Sequence, residues 1–216
     1  MAFIGSKPYD IRLSNMISQP YYNKPSQEGI YQHMSHIISN LDKDIVLYNV
    51  PSRCGVNMEP ETIARIFNEF KNVKAIKEAS GSIEQVIRIK SLCNITIMSG
   101  DDALVLPFMS VGATGVISVV SNIIPKVMIS IIDMYKTGNT DIVNTLFYGA
   151  YPLMKLCFIE SNPVPVKYML HKLNLSNVTN YEKVRLPLVT LSNQSKTKID
   201  EYIETTFLQI LNMNNV

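Results

Sequence analysis

The chain has 216 residues, of which 46% are hydrophobic and 18% charged, a composition that predicts one or two folded domains of an ordinary globular protein. Its 20 basic and 18 acidic side chains are spread along the chain and give a net charge of +2, which argues against nucleic-acid binding. No apolar run reaches the length of about 18 residues that a membrane span needs.

The three cysteines, Cys54, Cys93 and Cys157, lie far apart and show no metal-ligand spacing. Such a sparse, odd set is typical of a reducing compartment rather than of a disulfide framework. The first residues also lack the apolar core of a signal peptide. We therefore expect a cytoplasmic protein.

Residues 1–19 show no clear period and are interpreted as a lead-in of undetermined structure. From there, short apolar runs alternate with helical patterns, and from about residue 125 only helical patterns remain. Four strand–helix units predict a parallel α/β sheet with right-handed crossovers, followed by a helical region. The predicted strands are 45–49, the run that ends near Lys77, 95–99 and 115–119, and the predicted late helices are 125–135, 140–158, 164–173 and 196–211.

Lys77 is the first candidate for chemistry, because it ends a buried, strand-like apolar run just before a break at Gly81. Burial disfavours the ammonium form and lowers the pKa, which makes an amine available to attack a carbonyl carbon. The alternative is a strand-end lysine paired with a surface carboxylate such as Glu78. His33 and His36 lie three residues apart on a predicted helix, but without a third ligand a solvated helix face explains them better than a metal site does.

Several segments resemble one family, the dihydrodipicolinate synthases, which are pyruvate-dependent Schiff-base lyases of lysine biosynthesis in the N-acetylneuraminate lyase superfamily. They occur in the family's order at residues 20–29 (PYYNKPSQEG), 47–53 (LYNVPSR), 76–79 (IKEA), 99–102 (SGDD), 115–119 (GVISV), 162–167 (NPVPVK) and 185–188 (RLPL). The resemblance implies a TIM barrel, (β/α)8, with a helical domain after it. We expect a partial barrel over residues 20–135, containing the last four to five βα units, and a helical domain over 136–216.

The resemblance also implies roles for individual residues. Lys77 matches the lysine that condenses with the ketone of pyruvate, so that the enamine can attack the aldehyde of aspartate semialdehyde. Tyr48 matches the tyrosine that relays protons, and Tyr22 the tyrosine lent to a neighbouring subunit's site. Arg53 matches the arginine that binds the semialdehyde carboxylate, where a planar fork bonds bidentately.

Three further positions are assigned to substrate binding by the same resemblance. Ile117 matches a residue whose backbone carbonyl lies beside pyruvate, and Gly100 and Asp101 lie in the matching 99–102 segment. Taken singly, Gly100 is also explained by a turn and Asp101 by a helix cap. Ring packing would equally explain Tyr48, and a surface ion pair Arg53. The resemblance implies no metal and no cofactor, a homodimer or homotetramer, and pyruvate and aspartate semialdehyde as substrates.

The chain lacks the family's Gly-Thr-Thr-Gly-Glu loop, which supplies a threonine to the proton relay and amides to the pyruvate carboxylate. We therefore expect a chain truncated at its N-terminus, with little turnover alone and with the inward face of its sheet open to water. Two alternatives to the synthase remain. One is a non-catalytic family remnant or assembly partner, and the other is a different pyruvate-dependent aldolase such as an N-acetylneuraminate lyase.

Overall fold

The computed structural model describes residues 2–5, 14–175 and 181–207. The chain divides into two compact units, of which one is Phe3–Ile117 and the other begins at Ser118. The strands are β1 (Ala2–Gly5), β2 (Asn15–Ser18), β3 (Ile45–Asn49), β4 (Val73–Glu78), β5 (Thr96–Ser99) and β6 (Gly115–Ser118). The helices are α1 (Gln27–Ser39), α2 (Pro51–Cys54), α3 (Pro60–Glu69), α4 (Ile83–Leu92), α5 (Val105–Ser110), α6 (Pro125–Lys136), α7 (Thr140–Leu156), α8 (Val164–Lys172) and α9 (Asn193–Tyr202).

A single sheet joins these strands in the order β1-β6-β5-β4-β3-β2. Each neighbouring pair from β2 to β6 is parallel, and helices separate β2 from β3, β3 from β4, β4 from β5 and β5 from β6 along the chain. The predicted α/β class with a parallel sheet is therefore confirmed. The carboxyl ends of neighbouring parallel strands lie on the same side of the sheet. The residues that follow β3, β4 and β5 therefore lie near one another at this carboxyl end.

The predicted lead-in, residues 1–19, contains two strands of the sheet, β1 and β2. β2 is only four residues long, and its Met16 side chain is partly exposed at the edge of the sheet. So short a strand, with polar residues at both ends, gives neither the continuous apolar run of a buried strand nor a readable alternation. The boundary expected between residues 135 and 136 also differs from the division at Ser118, which groups α6 with the later helices.

Alternate residues of the strands face two different cores. On the helix-covered face, Ile45 and Leu47 of β3 pack with Ile76 of β4 and Ile97 of β5 in a large apolar cluster. The opposite, inner face carries a small cluster in which every member is 2% exposed or less: Val46, Ala75, Met98 and Ile117. The expectation that the inner face would be open to water is wrong for these four residues, which form one buried cluster across neighbouring strands.

From Pro125 onward, the regular elements in the described part of the second unit are helices. α6 and α7 pack against each other, and the Tyr168 hydroxyl of α8 donates to both carboxylate oxygens of Asp200 in α9, at 2.9 and 3.1 Å. The predicted helix 196–211 begins earlier, at Asn193, and its last four residues lie outside the described residues. Within the part of the chain that the structure describes, no helix is both long and apolar enough to cross a membrane.

Candidate active site

Lys77 lies at the end of β4 on the inner face, with its side chain buried and only 2% of the residue exposed. Burial lowers the pKa of its amine from 10.5 to about 8, and the positive charge of Arg53 acts in the same direction. The negative charge of Asp102 raises the pKa and so opposes the other two effects. The strand places the amine here because Lys77 follows Ala75 by two residues and therefore faces the same side.

Tyr48 is the register partner of Lys77 on the neighbouring strand β3. The Lys77 Nζ lies 4.3 Å from the centroid of the Tyr48 ring. An aromatic face favours the ammonium form, but burial dominates and the net effect is the lowered pKa of Lys77. Burial raises the pKa of the half-buried Tyr48 phenol, and Arg53 opposes that rise. At neutral pH the phenol is protonated and can both donate and accept a hydrogen bond.

Arg53 lies in α2, the four-residue helix that directly follows the end of β3. This helix begins with Pro51 and ends at Gly55, whose left-handed φ of 74° suits a residue without Cβ. Among the described residues, no carboxylate forms an ion pair with Arg53, and the side chain is exposed. The positive charge of its guanidinium lowers the pKa values of both Lys77 and Tyr48. Because the side chain is exposed, it also remains accessible to an anion.

Gly100 packs directly against the stem of Lys77. A Cβ placed at this glycine would lie 2.6 Å from the Cβ of Ala79 and 3.1 Å from the Cε of Lys77. Both approaches are closer than side chains normally accept, so the absence of a side chain at Gly100 leaves room for the lysine. The structure thus places Gly100 at the amine, in a packing contact.

The two aspartates that follow Gly100 have different environments. Asp101 is exposed, and its carboxylate accepts from the backbone N–H of Ala103 at 3.0 Å, which caps the short 3₁₀ turn Asp102–Leu104. Asp102 is buried, and its charge is the one that raises the pKa of Lys77. Sequence reasoning selected Asp101 and missed Asp102, because adjacent residues of a turn give no sign of which one points inward.

Ile117 and Tyr22 lie apart from this contact group. The Ile117 side chain belongs to the inner-face cluster with Ala75, which precedes Lys77 by two residues on the same face of β4. Tyr22 is 91% exposed and has a left-handed φ of 71°, which is uncommon for a residue with a side chain. Lys77, Tyr48 and Gly100 are in contact, whereas Tyr22 projects outward.

A second group of residues was missed by sequence reasoning, on the face of the sheet opposite Lys77. Asn49 directly follows Tyr48, and Glu78 directly follows Lys77, and both are fully buried. The signal available in the sequence was the alternation of a strand, which turns each of these polar residues away from its reactive neighbour. Within the described chain, no group of three His, Cys, Asp or Glu side chains is placed to hold a metal ion.

Residues 14–206 match the model of the Dihydrodipicolinate synthetase family. The chain belongs to this family. It is 42% identical over 190 residues to the 4-hydroxy-tetrahydrodipicolinate synthase of Methanococcus vannielii, a match that covers 88% of this chain and 64% of that enzyme.

Solved structures of dihydrodipicolinate synthases show the same fold. The 4-hydroxy-tetrahydrodipicolinate synthase of Methylacidiphilum fumariolicum SolV matches with a TM-score of 0.86 and 39% identity, over 93% of this chain and 66% of that one. The enzyme of Acinetobacter baumannii, solved in complex with pyruvate, matches with a TM-score of 0.80 and 35% identity, over 88% of this chain and 65% of that one. The fold is therefore that of the TIM-barrel family, and the chain spans less than two thirds of the length of these relatives.

Proposed function

We propose that this chain is a Schiff-base lyase that condenses pyruvate with aspartate semialdehyde to give 4-hydroxy-tetrahydrodipicolinate. The observation that carries the proposal is the buried Lys77 amine, whose pKa is lowered to about 8. At pH 7 such an amine is neutral in roughly a tenth of the molecules, which is roughly 300 times the fraction for a lysine with a pKa of 10.5. Only the neutral amine has the lone pair that attacks a ketone.

The proposed reaction begins when the Lys77 nitrogen attacks the pyruvate ketone carbon and forms a carbinolamine. Loss of water gives the imine, and loss of a methyl proton gives an enamine, whose carbon attacks the semialdehyde carbonyl to form the new C–C bond. The amine of the semialdehyde portion then attacks the imine carbon, which closes the ring and releases Lys77. The covalent imine acts as the electron sink, so the proposed chemistry needs no further cofactor.

Neighbouring side chains match the needs of these steps. The Tyr48 phenol, whose ring lies against the Lys77 Nζ, is assigned the proton transfers to and from the carbinolamine oxygen. Arg53 is assigned the semialdehyde carboxylate, because its guanidinium is exposed and has no carboxylate partner among the described residues. The backbone carbonyl of Ile117, together with Gly100 and Asp101, is assigned to substrate binding at the same edge of the sheet.

The proposal extends to how the chain works with others. We infer that its six-stranded sheet is a sector of a (β/α)8 barrel containing the later βα units, and that the cytoplasmic protein forms a homodimer or homotetramer. The exposed Tyr22 supports this inference, because a ring that is 91% accessible on a left-handed backbone is available to a neighbouring subunit.

Borohydride trapping tests the function. The purified chain is incubated with pyruvate and sodium borohydride, and the reduced adduct is located by peptide mass spectrometry. We expect an adduct on Lys77 that is lost in Lys77→Arg and retained in Lys74→Arg, a matched change in the same strand. Release of the unreduced adduct by aspartate semialdehyde, and not by a sugar aldehyde, would distinguish the synthase from other aldolases. A folded chain without any adduct on Lys77 would favour the non-catalytic alternative.

A further inference from the structure

Asn49 and Glu78 form a buried polar pair directly behind Tyr48 and Lys77. They are register partners at the ends of β3 and β4, and both are 0% exposed. The Asn49 Nδ2 donates to both carboxylate oxygens of Glu78, at 3.2 and 3.1 Å. Because side chains alternate along a strand, this pair occupies one face while Tyr48 and Lys77 occupy the other.

The surroundings of Glu78 fit a carboxylate that only accepts hydrogen bonds. Besides Asn49, the backbone N–H of Ser80 donates to Oε1 at 2.7 Å and the Nε2 of Gln85 donates to Oε2 at 3.1 Å. An ionised carboxylate has acceptors and no donor, so each of its oxygens can take these bonds. Burial raises the pKa of Glu78, and the hydrogen bonds from Ser80, Asn49 and Gln85 oppose that rise.

Asn49 links the pair to the segment that follows α2, the helix that carries Arg53. Its Oδ1 accepts from the Nε2 of Gln19, which follows β2, and from the backbone N–H of Met58, both at 3.0 Å. Its Nδ2 also donates to the Oδ1 of Asn57 at 2.8 Å. One buried side chain thus fastens the ends of three strands to the segment between α2 and α3.

We propose that Asn49 and Glu78 are positioning residues, whose buried pair fixes the ends of β3 and β4 so that the Lys77 amine stays against Tyr48 and away from water. At these ends the Ala79 N–H donates to the Asn49 carbonyl at 2.9 Å, and the Gly100 N–H donates to the Glu78 carbonyl at 2.7 Å. Rotation of either strand end would carry its reactive side chain toward solvent. The role of the pair in catalysis rests on the proposed function of Lys77, whereas its effect on the position of the Lys77 amine does not.

Asn49→Ala tests this proposal without changing any charge. The Lys77 amine is titrated by NMR of protein labelled with 13C at lysine Cε, and Lys77→Arg assigns its signal. In the wild-type chain we expect a pKa of about 8. In Asn49→Ala we expect it to rise by at least about 1, which leaves about tenfold less neutral amine at pH 7.

Gln27→Ala is the matched control. Gln27 holds the same segment and the start of α3 through three bonds, to the Asn57 carbonyl, the Glu59 N–H and the Thr62 hydroxyl, none of which involves β3 or β4. A general loss of hydrogen bonds would affect both variants, whereas the proposed positioning affects Asn49→Ala alone. Equal pKa changes in the two folded variants, or an unchanged pKa in Asn49→Ala, would overturn the proposal.

Glu78→Asp and Glu78→Gln keep the proposal testable if Asn49→Ala does not fold. Glu78→Asp retains an acceptor-only carboxylate and should keep most of the lowered pKa of Lys77. Glu78→Gln places an amide donor opposite the groups that donate to Glu78. It should therefore raise the pKa of Lys77, as Asn49→Ala does. The opposite order of the two variants would overturn positioning. Since the titration uses no substrate, a normal titration with no pyruvate adduct would count against the proposed function alone.

Discussion

The Nζ of Lys77 lies 4.3 Å from the ring centroid of Tyr48, its register partner on the adjacent strand. The contact joins the Lys77 amine, which must lose a proton before it can react, to the Tyr48 phenol, which can transfer a proton. Burial produces the opposite pKa displacements of the two groups, lower for the amine and higher for the phenol. Both displacements therefore raise the fraction of the neutral form, which is the form of each group that imine formation requires.

Tyr48→Phe removes the hydroxyl and keeps the ring. We expect the rate of trappable adduct formation with pyruvate to fall by roughly 10² to 10⁴, the usual contribution of a positioned acid–base group. The pKa of Lys77 should stay near 8, because the ring still covers the amine. Stopped-time borohydride quenching gives the rate, and 13C NMR gives the pKa. An adduct rate equal to that of the wild-type chain would exclude Tyr48 as the proton relay.

Asp102→Asn should lower the pKa of Lys77 further, because it removes the negative charge that raises it. Arg53→Gln should raise that pKa, because it removes a positive charge. Asp101→Asn is the matched control, since asparagine caps a turn as well as aspartate does and should leave the titration unchanged. The NMR titration of all three variants measures these changes. A larger change from Asp101→Asn than from Asp102→Asn would show that the buried carboxylate has been misassigned.

Gly100→Ala places a methyl group 2.6 Å from the Cβ of Ala79 and 3.1 Å from the Cε of Lys77. We expect a loss of about 1–3 kcal/mol in the free energy of unfolding, typical of overpacking, and a slower adduct formation. The double variant Gly100→Ala with Ala79→Gly removes the closest contact and should recover part of both losses. Urea unfolding and borohydride trapping measure them. Gly29→Ala in α1, where the nearest atom would lie at 3.3 Å, should cost less.

Lys77→Met should stabilise the folded chain at neutral pH. A fall in the lysine pKa from 10.5 to about 8 corresponds to roughly 3 kcal/mol against the buried ammonium form. The unfolded chain binds the extra proton between these two values, so the stability of the wild-type chain rises with pH through this window. Methionine avoids the cost at every pH. Urea unfolding at pH 7 and pH 9.5 should therefore show an advantage for Lys77→Met that shrinks at the higher pH.

The buried strands were readable from the sequence, whereas β2 was not. β3 is covered on both faces and appears as a nearly continuous apolar run, and the predicted strands at 45–49 and before Gly81 agree with β3 and β4. β2 lies at the edge of the sheet with Met16 partly exposed, and only its pairing with β3 makes it a strand. Pairing of this kind joins residues about thirty positions apart, which no local pattern records.

Local sequence patterns were also insufficient to predict every residue of the candidate site. The pattern located Lys77, and the family resemblance added Tyr48 and Arg53, because each lies in a recognisable segment. Asp102 could not be separated from Asp101, since the choice depends on which way a short turn points. Asn49 and Glu78 could be placed on the hidden face by strand alternation, but their contact with each other required the register of β3 against β4.

The two residues of each dipeptide, Tyr48-Asn49 and Lys77-Glu78, depend on the same register of β3 against β4 and must therefore be inherited together. Each dipeptide places its first residue on the inner face and its second on the helix-covered face. A shift of either strand by one residue would therefore move each side chain to the opposite face. The amine would then enter the helix-covered apolar core, and the carboxylate would enter the proposed pyruvate pocket. An insertion or deletion within β3 or β4 would thus remove the chemistry and its support together.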